Sequence, residues 1–255
     1  MRAVILFLAC GIASTYTAKA DEVRINGHIN AAIAAQLHDT LSRGEHTIRV
    51  TSGGGDPLPS LALARDIRDH HTSLIVDGVC AGACANFLFS AAEKRTIMPN
   101  ALVIFSGTAS ALLALVPPEK LGTLDADYAP AASQEKALLS ETGVNQSLLL
   151  EPLLRLGLSC YSLTSKNASG KSYINYRSDF VGWVPSRADL TRVGIRVGGF
   201  WPASDAQFQA AMKSAFPGGA RGNIAFAGQA PGAAPLPARL KAVPQCDTGL
   251  PDGHQ

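Results

Sequence analysis

Three observations predict an α/β fold with a mostly parallel sheet flanked by helices. Residues 22–106 alternate between short β-branched runs and segments with apolar residues at helical spacing. Turns bearing glycine, proline or asparagine separate these segments. The resulting order is β-α-β-α-β-α-β, and strands joined through helices pair in parallel by crossover connections.

Each element has its own signal. Val23, Arg24 and Ile25 form a first short strand. Asn30 is placed to cap a helix carrying Ile29, Ile33, Leu37 and Leu41 at four-residue spacing, with Gly44 just past its end. Residues 47–51 are rich in β-branched side chains and read as a strand. Ser52-Gly53-Gly54-Gly55-Asp56-Pro57 is a turn into a second helix, where Leu63, Ala64 and Ile67 share a face. Residues 73–76 give the next strand, 78–82 a loop, and 83–92 a helix with Cys84, Phe87, Leu88 and Ala91 inward. Residues 95–98 and 102–105 are two more strands, split by Pro99-Asn100. Ligands of such sheets sit beyond the carboxyl ends of the strands. That places 53–55, 78–83 and 106–107 along one rim.

The remainder is less periodic. Residues 107–127 read as a connection with Pro117-Pro118, and 130–157 as two helices broken near Gly143. Residues 160–200 hold strand-like pieces and a helix near 186–192. Ser204-x-x-Gln207 is a capping box opening a helix with Phe208, Ala211, Met212, Ala215 and Phe216 on one side. From Pro217 onward Gly, Ala and Pro dominate, which predicts a flexible tail. The expected organisation is a leader at 1–20, one α/β domain over 21–200, a helix at 201–216 and a tail at 217–255.

The leader reading rests on Arg2, the apolar run 4–12 and the small-x-small site Ala18-Lys19-Ala20, with cleavage before Asp21. The run is shorter than the ~20 residues a bilayer span needs. A periplasmic or secreted chain with no membrane segment after cleavage is therefore expected. Phe7-Leu8-Ala9 before Cys10 argues against lipidation. The formal charge is +2, and it vanishes when Arg2 and Lys19 leave with the leader. A neutral chain argues against nucleic acid or anionic membrane as a partner, since both are bound through excess positive charge. Cys80, Cys84, Cys160 and Cys246 remain, and four cysteines in an exported chain fit two disulfides in any of three pairings. No clustered ligand set suggests a metal, and no motif calls for a cofactor. The glycines at 53–55 lack the Gly-Lys-Ser/Thr ending of a phosphate loop. With a bacterial-type leader, Asn145-Gln146-Ser147 and Asn167-Ala168-Ser169 read as chance matches to the glycosylation pattern.

Three stretches carry a resemblance. They are Ile48-Arg49-Val50-Thr51-Ser52-Gly53-Gly54-Gly55-Asp56, Cys80-Ala81-Gly82-Ala83-Cys84-Ala85 and residues 95–105, with weaker echoes at 183–195. On these, residues 22–106 resemble the ClpP/crotonase superfamily, in particular small exported relatives of the Clp protease proteolytic subunit. The resemblance implies serine endopeptidase ancestry. A serine attacks, a histidine takes its proton, an aspartate orients the imidazole, and backbone amides hold the oxyanion.

Carried over position by position, that triad is degenerate. Gly82 stands at the serine, Ser106 at the histidine and Gly182 at the aspartate. Asp179 is three residues from the last position, and Gly53 replaces the proline of Ser-Pro-Gly-Gly. What the resemblance implies as retained is the oxyanion cradle of Gly54, Gly55 and the Ala83 amide, with the Cys80/Cys84 pair. A cradle alone leaves about 10³–10⁴-fold catalysis over water. The expectation is a catalytically silent relative that binds a peptide or protein partner or self-associates as a homo-oligomer. An exported chain has no ATP supply, which argues against an ATPase partner. Three alternatives stand beside it. Ser106 as nucleophile has no obvious base. Cys84 could act as a thiolate with His70 or His71, although a Cys80–Cys84 disulfide is favoured. An acyl-CoA enzyme would rely on the two amides, but CoA is a cytosolic cofactor.

Overall fold

The computed structural model describes residues 22–115, 118–150, 158–166, 172–178, 180–220 and 222–226. The leader, Asp179, the pairing of Cys160 and Cys246, and most of the expected tail lie outside the described residues. Strand β1 (Val23–Asn26) pairs in parallel with β2 (Thr47–Ser52), with Ile25 opposite Val50. Helix α1 (Ala31–Ser42) joins them. Asn30 caps it as expected, its Oδ1 accepting from Ile33 N at 3.0 Å, and Gly44 follows at φ +98°. Ile29 precedes the helix and pairs with Gly55 instead of joining the helical face. Helix α2 (Pro57–Asp69) starts with proline at its first position and buries Leu61, Leu63, Ala64 and Ile67.

Strand β3 (Ser73–Ala81) runs longer than its sequence suggests. Residues 78–81 were expected in a loop, yet they continue the strand after a register shift against β2. Gly78 makes this possible. Its φ is +105°, and a Cβ there would come 3.2 Å from Thr51 Cγ2. The first half of β3 pairs with β4 (Lys94–Ile97), and its last residues pair with β5 (Leu102–Ile104). All these pairings are parallel, and β9 (Gly198–Gly199) closes the order β1-β2-β3-β4-β9. Between β3 and β4 the residues Cys84–Phe89 wind as a π-helix, and all of them are buried.

Residues 107–127 hold helix rather than an irregular connection. Helix α3 (Ala109–Leu115) is followed by α4 (Pro118–Thr142), which ends at Gly143 with φ +69°. A tertiary cap makes α3 viable. The buried carboxylate of Glu135 accepts from Ser110 N at 2.8 Å and Ala109 N at 3.3 Å. Local periodicity cannot reveal a cap supplied from 25 residues away.

An antiparallel pair, β6 (Leu158–Lys166) and β7 (Ser172–Ser178), precedes β8 (Phe180–Val184). Helix α5 (Arg187–Arg192) opens with a reciprocal capping box between Ser186 and Asp189. Helix α6 (Asp205–Ala215) is capped by Ser204, whose Oγ accepts from Gln207 N. Gln207 Oε1 accepts from Ala203 N at 2.8 Å, one residue before the cap, so the expected box is shifted by one residue. The stretch after Pro217 is not uniformly loose. Strand β10 (Asn223–Phe226) pairs with β8, and the Phe226 ring stacks on Phe208 at 5.1 Å.

The core lies between the sheet and its helices. Ile25, Ile48, Val50, Leu74 and Val76 are fully buried there. On the other face Arg49 crosses three strands, donating to Glu22 Oε1 at 2.7 Å and Asp77 Oδ2 at 3.1 Å. That contact with Arg49 holds the Glu22 carboxyl below its ordinary value. Among the described residues no helix is long and apolar enough to cross a membrane.

Candidate functional site

The rim is built first from backbone. Ser52 is buried at the end of β2 and donates from Oγ to Gly27 O at 2.6 Å. The same oxygen accepts from Gly54 N at 3.1 Å, which curls the chain back on itself. Gly54 sits at φ +116°, and a Cβ there would lie 3.0 Å from Ala81 O and 3.2 Å from Ala83 N. Gly55 is more constrained still. A Cβ would come 2.1 Å from Ile29 O, because Ile29 N bonds Gly54 O and Asp56 N bonds Ile29 O around it. Each glycine is required by a close approach of main chain to main chain.

The second wall is the end of β3 and the start of the π-helix. Gly82 has φ +53°, donates from N to Ile104 O at 3.1 Å and accepts from Asn86 N at 2.8 Å. Cys80 and Cys84 are joined by a disulfide across it, with Cα atoms 5.3 Å apart. A Cβ on Gly82 would meet Gly53 O at 3.5 Å, Ser106 Oγ at 3.7 Å and Gly54 Cα at 3.9 Å, all ordinary contacts. The positions expected for the nucleophile and its base are therefore neighbours in space, although 24 residues apart in the chain.

The third position closes the group. Phe105 and Trp183 exchange two backbone bonds of 2.9 and 2.8 Å, which brings Gly182 against the end of β5. A Cβ on Gly182 would lie 2.6 Å from Ile104 Cγ2 and 2.8 Å from Phe105 O. No carboxylate side chain can stand there without moving the strand. Gly82, Ser106 and Gly182 thus meet at one rim, and none supplies a base.

Ser106 is held by Asn86, which sequence reasoning missed. Asn86 is 2% exposed. Its Nδ2 donates to Ser106 O at 3.2 Å and Oγ at 3.3 Å, and its Oδ1 accepts from Ser106 N at 3.2 Å. Ser106 Oγ in turn donates to Gly107 O at 3.4 Å. An amide, which cannot accept a proton at neutral pH, sits where a serine nucleophile would need its base. The available signal was one polar residue inside the apolar run Cys84–Phe89. The π-winding turns that residue onto the rim.

The other candidates separate from the rim. Cys84 is bonded to Cys80 and is no thiolate. His70 and His71 precede the first residue of β3, while Cys84 follows its last. The length of β3 lies between them, so the two histidines and Cys84 sit at opposite ends of the strand. The Cys84–histidine dyad is thereby excluded. Of the three amides expected in the cradle, that of Gly54 is committed to Ser52, whereas those of Gly55 and Ala83 meet no acceptor among the described residues. A histidine–carboxylate pair also escaped the sequence reading: His28 Nε2 lies 3.0 Å from Asp56 Oδ1 beside the glycine turn.

Arg95 braces the far end of the π-helix. Nε donates to Phe89 O at 2.6 Å and Nη2 to Ser90 O at 2.7 Å, and the guanidinium lies over the Phe89 ring. Burial lowers its pKa to about 10. Among the described residues no group of three or more histidine, cysteine, aspartate or glutamate side chains could hold a metal ion. No protein-family model matches the chain, and no curated protein matches its sequence.

Proposed function

We propose that this chain is an exported ClpP/crotonase-like protein that has lost peptidase chemistry and uses its rim for binding a peptide or protein partner, or for assembly. The observation that carries this reading is the contact between Gly82 and Ser106. Two chain segments that would deliver a nucleophile and a base to each other do meet, yet they deliver a hydrogen atom and a hydroxyl tied to Asn86. The amides of Gly55 and Ala83 support a retained acceptor site for a carbonyl or carboxylate oxygen. Export is supported by the leader-like residues 1–20 and by the Cys80–Cys84 disulfide, a bond typical of oxidising compartments.

Fluorophosphonate labelling of the purified chain tests the loss of chemistry. The expected result is no adduct above that of the heat-unfolded protein. A heat-sensitive adduct at one serine would overturn the proposal. The two amides also favour one second reading, a crotonase-type acyl-CoA enzyme. A thermal-shift titration with acyl-CoA separates it, because a ligand bound to the folded state raises the midpoint. No rise is expected.

A further inference from the structure

We propose that the Cys80–Cys84 disulfide is a redox-sensitive positioning device, which fixes the π-helix at its first residue and thereby holds Asn86 on Ser106. Asn86 lies two residues after Cys84, on a helix that is pinned at both ends. At the start, the disulfide ties Cys84 to Cys80, the residue of β3 that pairs with Val103 of β5. At the other end, Arg95 donates to Phe89 O and Ser90 O. The Phe89 ring also packs edge-on against Phe105, with centroids 6.2 Å apart.

The two anchors account for the winding. A π turn is rare, because the α turn is the form a free chain prefers. Here the residues Cys84–Phe89 wind between fixed ends, and Ser90 Oγ donates to Ala85 O at 3.3 Å across the wider turn. The winding decides where Asn86 points. Its Nδ2 reaches Ser106 O and Oγ, and its Oδ1 accepts from Ser106 N. Two backbone bonds also hold the helix start, from Gly82 N to Ile104 O and from Asn86 N to Gly82 O. Both run through Gly82, which has no side chain and stands at φ +53°. A glycine hinge lets the helix start swivel once the cross-link is gone. The start then relaxes toward α winding and Asn86 turns away from Ser106. The oxidised chain presents a rim with Ser106 locked. The reduced chain presents one whose hydroxyl is free to meet a ligand.

The switch needs a dithiol as co-reactant. The dithiol gives up two electrons and two protons and closes to its own disulfide. The Cys80–Cys84 bond breaks and each sulfur takes a proton. Both cysteines are fully buried, so exchange goes through local opening of the turn and is slow. The inference concerns the shape of the rim and stands apart from what the rim binds.

The test uses the purified, isotope-labelled chain in three forms: oxidised, reduced with dithiothreitol, and as the variant Cys80→Ala/Cys84→Ala. In the oxidised chain the side-chain amide protons of Asn86 are expected to show a nuclear Overhauser contact to Ser106. Reduction and the double variant are each expected to abolish it, while contacts between β2 and β3, such as Ile48 to Leu74, remain. Reoxidation is expected to restore it. A cross-link that only stabilises the fold would change the unfolding midpoint and leave the contact intact in the folded chain. A contact of full intensity in the folded double variant overturns the proposal. So does one of full intensity in the reduced wild type, should the variant not fold, or absence of the contact from the oxidised chain. None of these results bears on the loss of peptidase chemistry, which fluorophosphonate labelling reads separately.

Discussion

The two walls of the rim solve the same problem differently. One wall, Ser52 to Asp56, is shaped by backbone: Gly54 and Gly55 are fixed there by main-chain atoms of Ala81, Ala83 and Ile29. The other wall, where Asn86, Ser106 and Gly182 meet, is shaped by side chains. There an amide lock and a close-packed strand occupy the places in which proton transfer would be organised. On the proposed reading, backbone geometry outlasts a loss of chemistry because the fold itself needs it. Side-chain chemistry does not, because Asn86 satisfies the same polar groups without a base.

Substitutions should separate the walls. Gly55→Ala is the most damaging, since its Cβ would overlap Ile29 O at 2.1 Å. A loss of about 3–5 kcal/mol is expected in denaturant unfolding, if the protein folds at all. Asn86→Ala should cost about 2–3 kcal/mol, because it strands the backbone N–H and C=O of Ser106. Chemical denaturation at constant m value reads this directly. Replacing both Cys80 and Cys84 by alanine removes a five-residue cross-link, for which the chain-entropy estimate is about 2 kcal/mol. Reduction of the wild type should approach the same midpoint, slowly, because both cysteines are fully buried. Gly82→Ala is the mildest, at about 1–2 kcal/mol. It meets only ordinary contacts and is opposed by its φ of +53° alone. If Gly82→Ala proved as damaging as Gly55→Ala, the contrast between a built wall and an open position would fail.

Much of this architecture can be read from residue patterns, and the exceptions have physical causes. The Asn30 cap, the strand read at 47–51 and found one residue longer, and the split at Pro99-Asn100 follow from local chemistry. Gly78 misleads, because a glycine that permits a register shift inside a strand looks the same as one in a loop. Helix α3 is hidden because its cap from Glu135 is tertiary, whereas the part of α4 from residue 130 to the break at Gly143 follows from local pattern. At the rim, the meeting of Gly82 and Ser106 follows from the alternating order of elements. Asn86 was not legible, because π-winding shifts which residues of a short apolar helix face the sheet end. The His28–Asp56 pair joins residues 28 apart, a proximity no local pattern encodes.

The most direct test of the silent rim is turnover of an activated ester and of a fluorogenic peptide mixture by wild type and by Ser106→Ala. The account predicts that both proteins hydrolyse them no faster than the unfolded chain does. Saturable turnover by the wild type that Ser106→Ala abolishes would mean that the hydroxyl held by Asn86 is a working nucleophile, and the account would be contradicted.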